Sequence, residues 1–145
     1  MALPSLNAEG DLPPGIHLAS LTEIQTAFGA STRARENIFQ RLAKILNIAL
    51  STGHLARFVV FGSFVTDKPN PKDVDIFMVF DETFDATSCR GETLLLLDHS
   101  MADTHFGASI FWIRRPAAFG GEQATIEFWQ TKRNGALRGI VEIVE

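Results

Sequence analysis

Two aspartates, Asp73 and Asp75, stand two residues apart in the segment Phe61-Gly62-Ser63-Phe64-Val65-Thr66-Asp67-Lys68-Pro69-Asn70-Pro71-Lys72-Asp73-Val74-Asp75-Ile76. On a strand, residues i and i+2 share a face, so both carboxylates point to one side. Two such charges repel unless one takes a proton or a cation lies between them. Carboxylate oxygens suit Mg²⁺ or Mn²⁺. Mg²⁺ commonly takes one or two of them and completes its shell with water and substrate phosphates. Gly62-Ser63 adds a position without Cβ, where backbone amides can approach a phosphate, and a hydroxyl donor beside it. Lys68 and Lys72, in the loop between, could meet an anionic tail. Each piece has a plainer reading: Gly-Ser closes many strands, and Asp-x-Asp often begins a solvated one. It is the combination, strand–loop–strand at this separation, that points to metal and phosphate chemistry.

The elements that must hold these residues are legible in outline. Residues 1–19, with Pro4, Pro13, Pro14, Gly10 and Gly15, read as an extended arm that lies across the domain to cover Leu12, Ile16 and Leu18. Ser20-Leu21-Thr22-Glu23 has the pattern of a capping box opening a short helix that stops at Gly29. Ile38, Leu42, Ile45, Leu46, Ala49 and Leu50 recur at helical spacing, predicting a second helix over 32–52 with Arg33, Arg35, Arg41 and Lys44 mainly off its apolar face. Residues 57–61 and 73–80 read as strands, the second with Val74, Ile76, Met78 and Phe80 on one face and Asp73, Asp75, Phe77 and Val79 on the other. Thr87 or Ser88 is expected to cap a helix running to about 102. Residues 108–113 and 125–130 read as further strands. Asn134-Gly135 predicts a type I′ turn into a return strand over 138–144. The expected class is α/β (α+β): a mixed sheet with packed helices, one domain over 20–145 and a C-terminal β-hairpin.

Gly62-Ser63, the ten-residue step to Asp73, and Asp73-Val74-Asp75 resemble the signature of the nucleotidyltransferase superfamily related to DNA polymerase β, in its minimal single-domain bacterial branch. The segment Asp11-Leu12-Pro13-Pro14-Gly15-Ile16-His17 and the stretch from Thr131 to Ile140 extend a likeness to a largely uncharacterised family of about this size. The resemblance implies that Gly62 and Ser63 hold the triphosphate of a nucleotide and that Asp73 and Asp75 coordinate Mg²⁺. The implied reaction is transfer of a nucleoside monophosphate to a hydroxyl of a protein, RNA or small molecule. Such enzymes usually carry a third carboxylate on the strand after the crossover helix. Here that strand contains no acid; Ser109 is at about the expected place, and Glu127, on the strand expected over 125–130, is the nearest substitute. The alternative is a catalytically impaired relative that binds nucleotide, RNA or a partner protein, as half of a toxin–antitoxin or defence pair.

Other candidates are weaker. His17, His54, His99 and His105 show no metal-ligand spacing and read as surface or capping residues. Cys89 beside Arg90 could have a lowered thiol pKa, though an ordinary small residue is the plainer reading. Arg114, Arg115, Lys132, Arg133 and Arg138 could frame the mouth of an acidic metal site or be solvated strand ends. The apolar strand over 138–144, taken as an edge, suggests a homodimer or protein partner. With 145 residues, 46% hydrophobic and 21% charged, the chain suits one globular domain. A net charge of −4 argues against a generally basic nucleic-acid coat, and the single cysteine excludes a disulfide framework. No membrane span and no secretory leader are visible, so a cytoplasmic location is expected.

Overall fold

A computed structural model describes residues 3–116 and 121–145. Five strands, β1 (Ile16–Ala19), β2 (Leu55–Phe61), β3 (Val74–Phe80), β4 (Ala108–Arg114) and β5 (Ile140–Ile143), form one sheet in the order β1-β5-β2-β3-β4. The sheet is mixed. β1 runs parallel to β5 and β3 parallel to β4, while β2 is antiparallel to both β3 and β5. Among the described residues five helices accompany it: α1 (Leu21–Phe28), α2 (Arg33–Ser51), α3 (Gly91–Leu96), α4 (His99–Phe106) and α5 (Glu122–Phe128). The protein is α+β, and none of these helices is long and apolar enough to cross a membrane.

Local sequence explains the first half well. Ser20 Oγ accepts the Glu23 amide at 3.1 Å and Glu23 returns the bond to the Ser20 amide at 2.9 Å, the reciprocal cap that starts α1. Thr32 caps α2 through the Arg35 amide, and Ile38, Leu42, Ile45, Leu46 and Ala49 are buried beneath it. β3 alternates as its composition dictates. Val74, Ile76, Met78 and Phe80 join the larger core under the helices, whereas Phe77 and Val79 face a smaller core with Val59, Ile126 and Ile140. Both faces are therefore covered, and each fully buried aliphatic or aromatic side chain stabilises the fold by about 1.5–3 kcal/mol. Of the residues expected to seek cover in the N-terminal stretch, Leu12 is fully buried, while Leu18 is exposed.

Four expectations need correction. Residues 125–130 are not a strand: α5 covers 125–128 with only Ile126 buried and a turn follows, because a short apolar run has no periodicity that separates the two states. What selects the helix is tertiary. Arg57 donates two hydrogen bonds to Glu142 and one to Glu122, which also accepts from Arg115, so the start of α5 is tied to the sheet. The long helix expected from 87 to 102 is two, α3 and α4, because Asp98 leaves helical geometry and caps α4 through the Met101 amide. The hairpin is absent as such. Lys132 and Gly135 close a tight turn, with one bridge between Thr131 and Leu137. Only Gly135 has positive φ there, so Asn134 does not adopt the type I′ geometry, which needs positive φ at both central residues. The return strand pairs instead with β1 and β2. That makes β5 an interior strand, leaving β1 and β4 at the edges, so its apolar residues do not form an open edge for a partner.

Candidate functional site

Antiparallel pairing fixes where the motif comes together. Phe61 at the end of β2 lies opposite Asp75 near the start of β3, so Gly62 and Ser63, which leave β2, must pass beside the aspartates. Gly62 adopts φ +80° and ψ −163°, a region open almost only to glycine. A Cβ at this position would collide with the Asp75 carboxylate, so the same atom's absence permits both the turn and the close approach. Across the sheet, Ser109 of β4 is in register with Asp75 and its hydroxyl donates to Asp73 Oδ2 at 3.4 Å.

Ser63, Asp73, Asp75 and Ser109 open into one cavity of about 590 Å³, with Gly62 buried behind them and outside its lining. Asp73 and Asp75 share it with four cations, Lys68, Lys132, Arg133 and Arg138; Ser63, Ser109 and Asn134 complete the described lining. Burial pushes the Asp75 carboxyl up to about 6, and the neighbouring Asp73 charge adds to the shift; Arg138, the Ser109 hydroxyl and Arg133 oppose it. Two adjacent carboxylates are oxygen donors of the kind a divalent metal takes, and the four cations beside them could meet an anionic ligand.

A sequence model of a family of unknown function (DUF6932) matches residues 4–144. The chain belongs to that family. No curated protein and no solved structure matches it.

In this DUF6932 chain the expected residues divide cleanly. Gly62, Ser63, Lys68, Asp73 and Asp75 are brought together. Lys72 is exposed and does not line the cavity; its carbonyl accepts from Arg41 at 3.5 Å. Glu127 is exposed on α5, where Gln123 donates to it at 3.4 Å, and it is not among the cavity residues. Its expected position on the sheet face depended on the strand that α5 replaces. Of the five outlying cations, Lys132, Arg133 and Arg138 reach the cavity. Arg115 is instead committed to Glu122, and Arg114 donates to the Glu82 carbonyl. The histidines bind within the fold: His54 pairs with Asp81 at 3.0 Å, His105 with Glu92 at 2.9 Å, and the rings of His17 and His99 meet carbonyl oxygens. Burial pushes the Cys89 thiol up, with Asp85 reinforcing the shift, so the Arg90 charge does not activate it.

Two residues to which sequence reasoning assigned no part in the site organise it, one of them, Arg35, buried rather than off the apolar face of α2. Arg35, only 3% exposed, donates to the carbonyls of Phe28, Phe64, Thr66 and Lys68 at 2.5–3.1 Å. Three of those carbonyls belong to the loop between Gly62 and Asp73, so this buried guanidinium sets the loop's path. Helical periodicity alone gave no sign of it. Asp11, 5% exposed, bridges to Thr66 and pairs with Lys132 Nζ at 2.9 Å and Arg138 at 3.7 Å. It thereby holds two of the four cations at the cavity wall. The only available signals were its place in the segment from Asp11 to His17 and in a proline-containing stretch whose other acid is Glu9.

Proposed function

We propose that the protein is an Mg²⁺-dependent, nucleotidyltransferase-like domain acting in the cytoplasm. It would transfer a nucleoside monophosphate from a nucleoside triphosphate to a hydroxyl of a protein, an RNA or a small molecule. The observation that carries this reading is the convergence of Asp73 and Asp75 with Ser63 and four cations on one cavity. The donor set fits a magnesium ion: two adjacent carboxylates opening into a polar cavity, with the Asp75 carboxylate packed against the backbone of Gly62.

Asp73 and Asp75 would hold the metal, which when bound neutralises charge developing at the α-phosphate and on the departing pyrophosphate. Gly62 and Ser63 cradle a phosphate with an amide and a hydroxyl. Lys68, Lys132, Arg133 and Arg138 bind the outer phosphates by charge-assisted hydrogen bonds. In the transfer, the acceptor oxygen bonds to the α-phosphorus, the bond from that phosphorus to the bridging oxygen breaks, pyrophosphate leaves, and the acceptor's proton passes to water. Asp11 and Arg35 position, the first through two cations and the second through the loop backbone.

A second reading, binding with little or no transfer beside a partner protein, as in a toxin–antitoxin or defence pair, is favoured by one observation. Ser109, not an acid, stands in register with Asp75, and the described lining holds no third carboxylate. Calorimetry with the four ribonucleoside triphosphates, with Mg²⁺ and with chelator, tests the shared premise. Metal-dependent binding by the wild type that is lost in Asp73→Asn/Asp75→Asn supports it, and the absence of metal-dependent binding refutes it. Incubation with labelled triphosphate and a hydroxyl acceptor then separates transfer from binding alone.

A further inference from the structure

We infer that this cavity recognises its ligand through a chain of phosphates and is indifferent to the nucleobase. The ligand class is a polyphosphate, either free or carried by any of the four nucleosides. The inference rests on the proposed function for the role of the site and adds what the site selects.

Nucleobases are distinguished by hydrogen bonds to their edges, and they gain affinity by stacking on aromatic side chains. Every described side chain lining the cavity is charged, hydroxyl or amide; none is aromatic or aliphatic. The one amide in the lining is held in the turn, where Asn134 Oδ1 accepts the Ala136 amide at 2.9 Å, so its acceptor is taken. The Ser109 hydroxyl is directed to Asp73. Three aromatic side chains on this side of the sheet are engaged with one another: Trp129, just after α5, lies 4.6 Å from Phe61 and 4.9 Å from Phe111 between ring centroids, and none of the three lines the cavity.

Anion recognition, by contrast, is abundant. Asp11 holds Lys132 and Arg138 in place before any ligand arrives. Lys68 and Arg133 have no side-chain ion-pair partner among the described residues, and both are exposed. Two held cations and two unpaired ones face the carboxylates, an arrangement that matches successive phosphates rather than a single one. Should the Arg133 guanidinium stack on a base, it would do so on any of the four, since each presents a π-face.

The full chain is titrated by calorimetry, in excess Mg²⁺, with ATP, GTP, CTP, UTP, inorganic tripolyphosphate and adenosine. The five phosphate ligands are expected to bind within about tenfold of one another and adenosine not to bind. Lys68→Ala and Arg133→Ala, both at exposed positions, should weaken all five by a similar factor, about threefold to thirtyfold. Phe128→Ala, which removes the exposed aromatic at the end of α5, should change none of them by more than about twofold. One nucleoside triphosphate binding more than about tenfold tighter than tripolyphosphate overturns the inference and leaves the proposed function standing. So does a loss on Phe128→Ala confined to nucleotides. Failure of all five to bind refutes the proposed function itself, and the inference with it.

Discussion

Replacing Asp75 with asparagine should make the metal-free protein more stable at neutral pH and leave it nearly unchanged in acid. Burial and the Asp73 charge push the Asp75 carboxyl from 3.8 up to about 6. The folded state therefore holds this proton more tightly than the unfolded chain does, and the stabilisation this gives is fully present below the unfolded pKa of about 4 and is lost as pH rises through about 6. Two units at about 1.4 kcal/mol each set a ceiling near 3 kcal/mol on the cost of ionised Asp75 at about pH 7.5. Because the side chain is partly exposed, solvent screening reduces this to about 1–2 kcal/mol. The isosteric amide removes the charge, so Asp75→Asn should raise the melting temperature by roughly 3–6 °C at about pH 7.5 and by almost nothing at about pH 4. The assay is thermal and urea denaturation in chelator, with Asp73→Asn as a companion that removes the neighbour's repulsion and leaves the Asp75 carboxyl in place. An equal gain at both pH values, or a loss at neutral pH, would refute the reasoning. Added Mg²⁺ should then reverse the order by stabilising the wild type and not the variant.

Three further outcomes follow from the same geometry. Gly62→Ala should destabilise by about 2–4 kcal/mol, from positive φ and from collision with the Asp75 carboxylate. In a double-mutant cycle, Asp75→Ala should recover the steric share, and strict additivity of the two substitutions would count against the close approach. Arg35→Met should cost about 3–5 kcal/mol in urea unfolding because four carbonyls lose their donor, and Arg35→Lys should recover little of it, since an ammonium lacks the planar fork. Full recovery by lysine would show that charge, not geometry, holds the loop. Trp129→Ala should cost about 3–5 kcal/mol by emptying the space between α5 and the sheet, and it should speed amide hydrogen exchange across residues 122–128. Unchanged exchange there would mean that Arg57 and its carboxylates alone fasten the helix.

The site and the fold share residues, which gives these predictions a common logic. Asp75 is costly to the empty protein and central to the cavity, a conflict that local stability cannot explain and that a bound cation would resolve. Arg35 and Asp11 resolve the opposite problem, tying a proline-containing loop and two flexible cations to fixed positions.

The sequence by itself determined what is local. The Ser20 cap, the apolar stripe of α2, the alternation of β3 and the two-residue spacing of the aspartates depend on near neighbours, and each is written in residue type and period. The Gly62-Ser63…Asp73-Val74-Asp75 segment was legible as a candidate site from its residue types and strand–loop–strand spacing, and antiparallel pairing of Phe61 with Asp75 brings its two ends together. Tertiary structure decided everything that depends on distant partners. Whether 122–128 became helix or strand turned on Arg57, Glu142 and Arg115; whether 140–143 lay at an edge turned on its pairing with β1; and whether Glu127 joined the aspartates turned on both. Arg35 and Asp11 are the extreme case. A charged side chain reads as surface in any sequence window, and only a closed set of carbonyls, or two cations from the far end of the chain, makes its burial favourable.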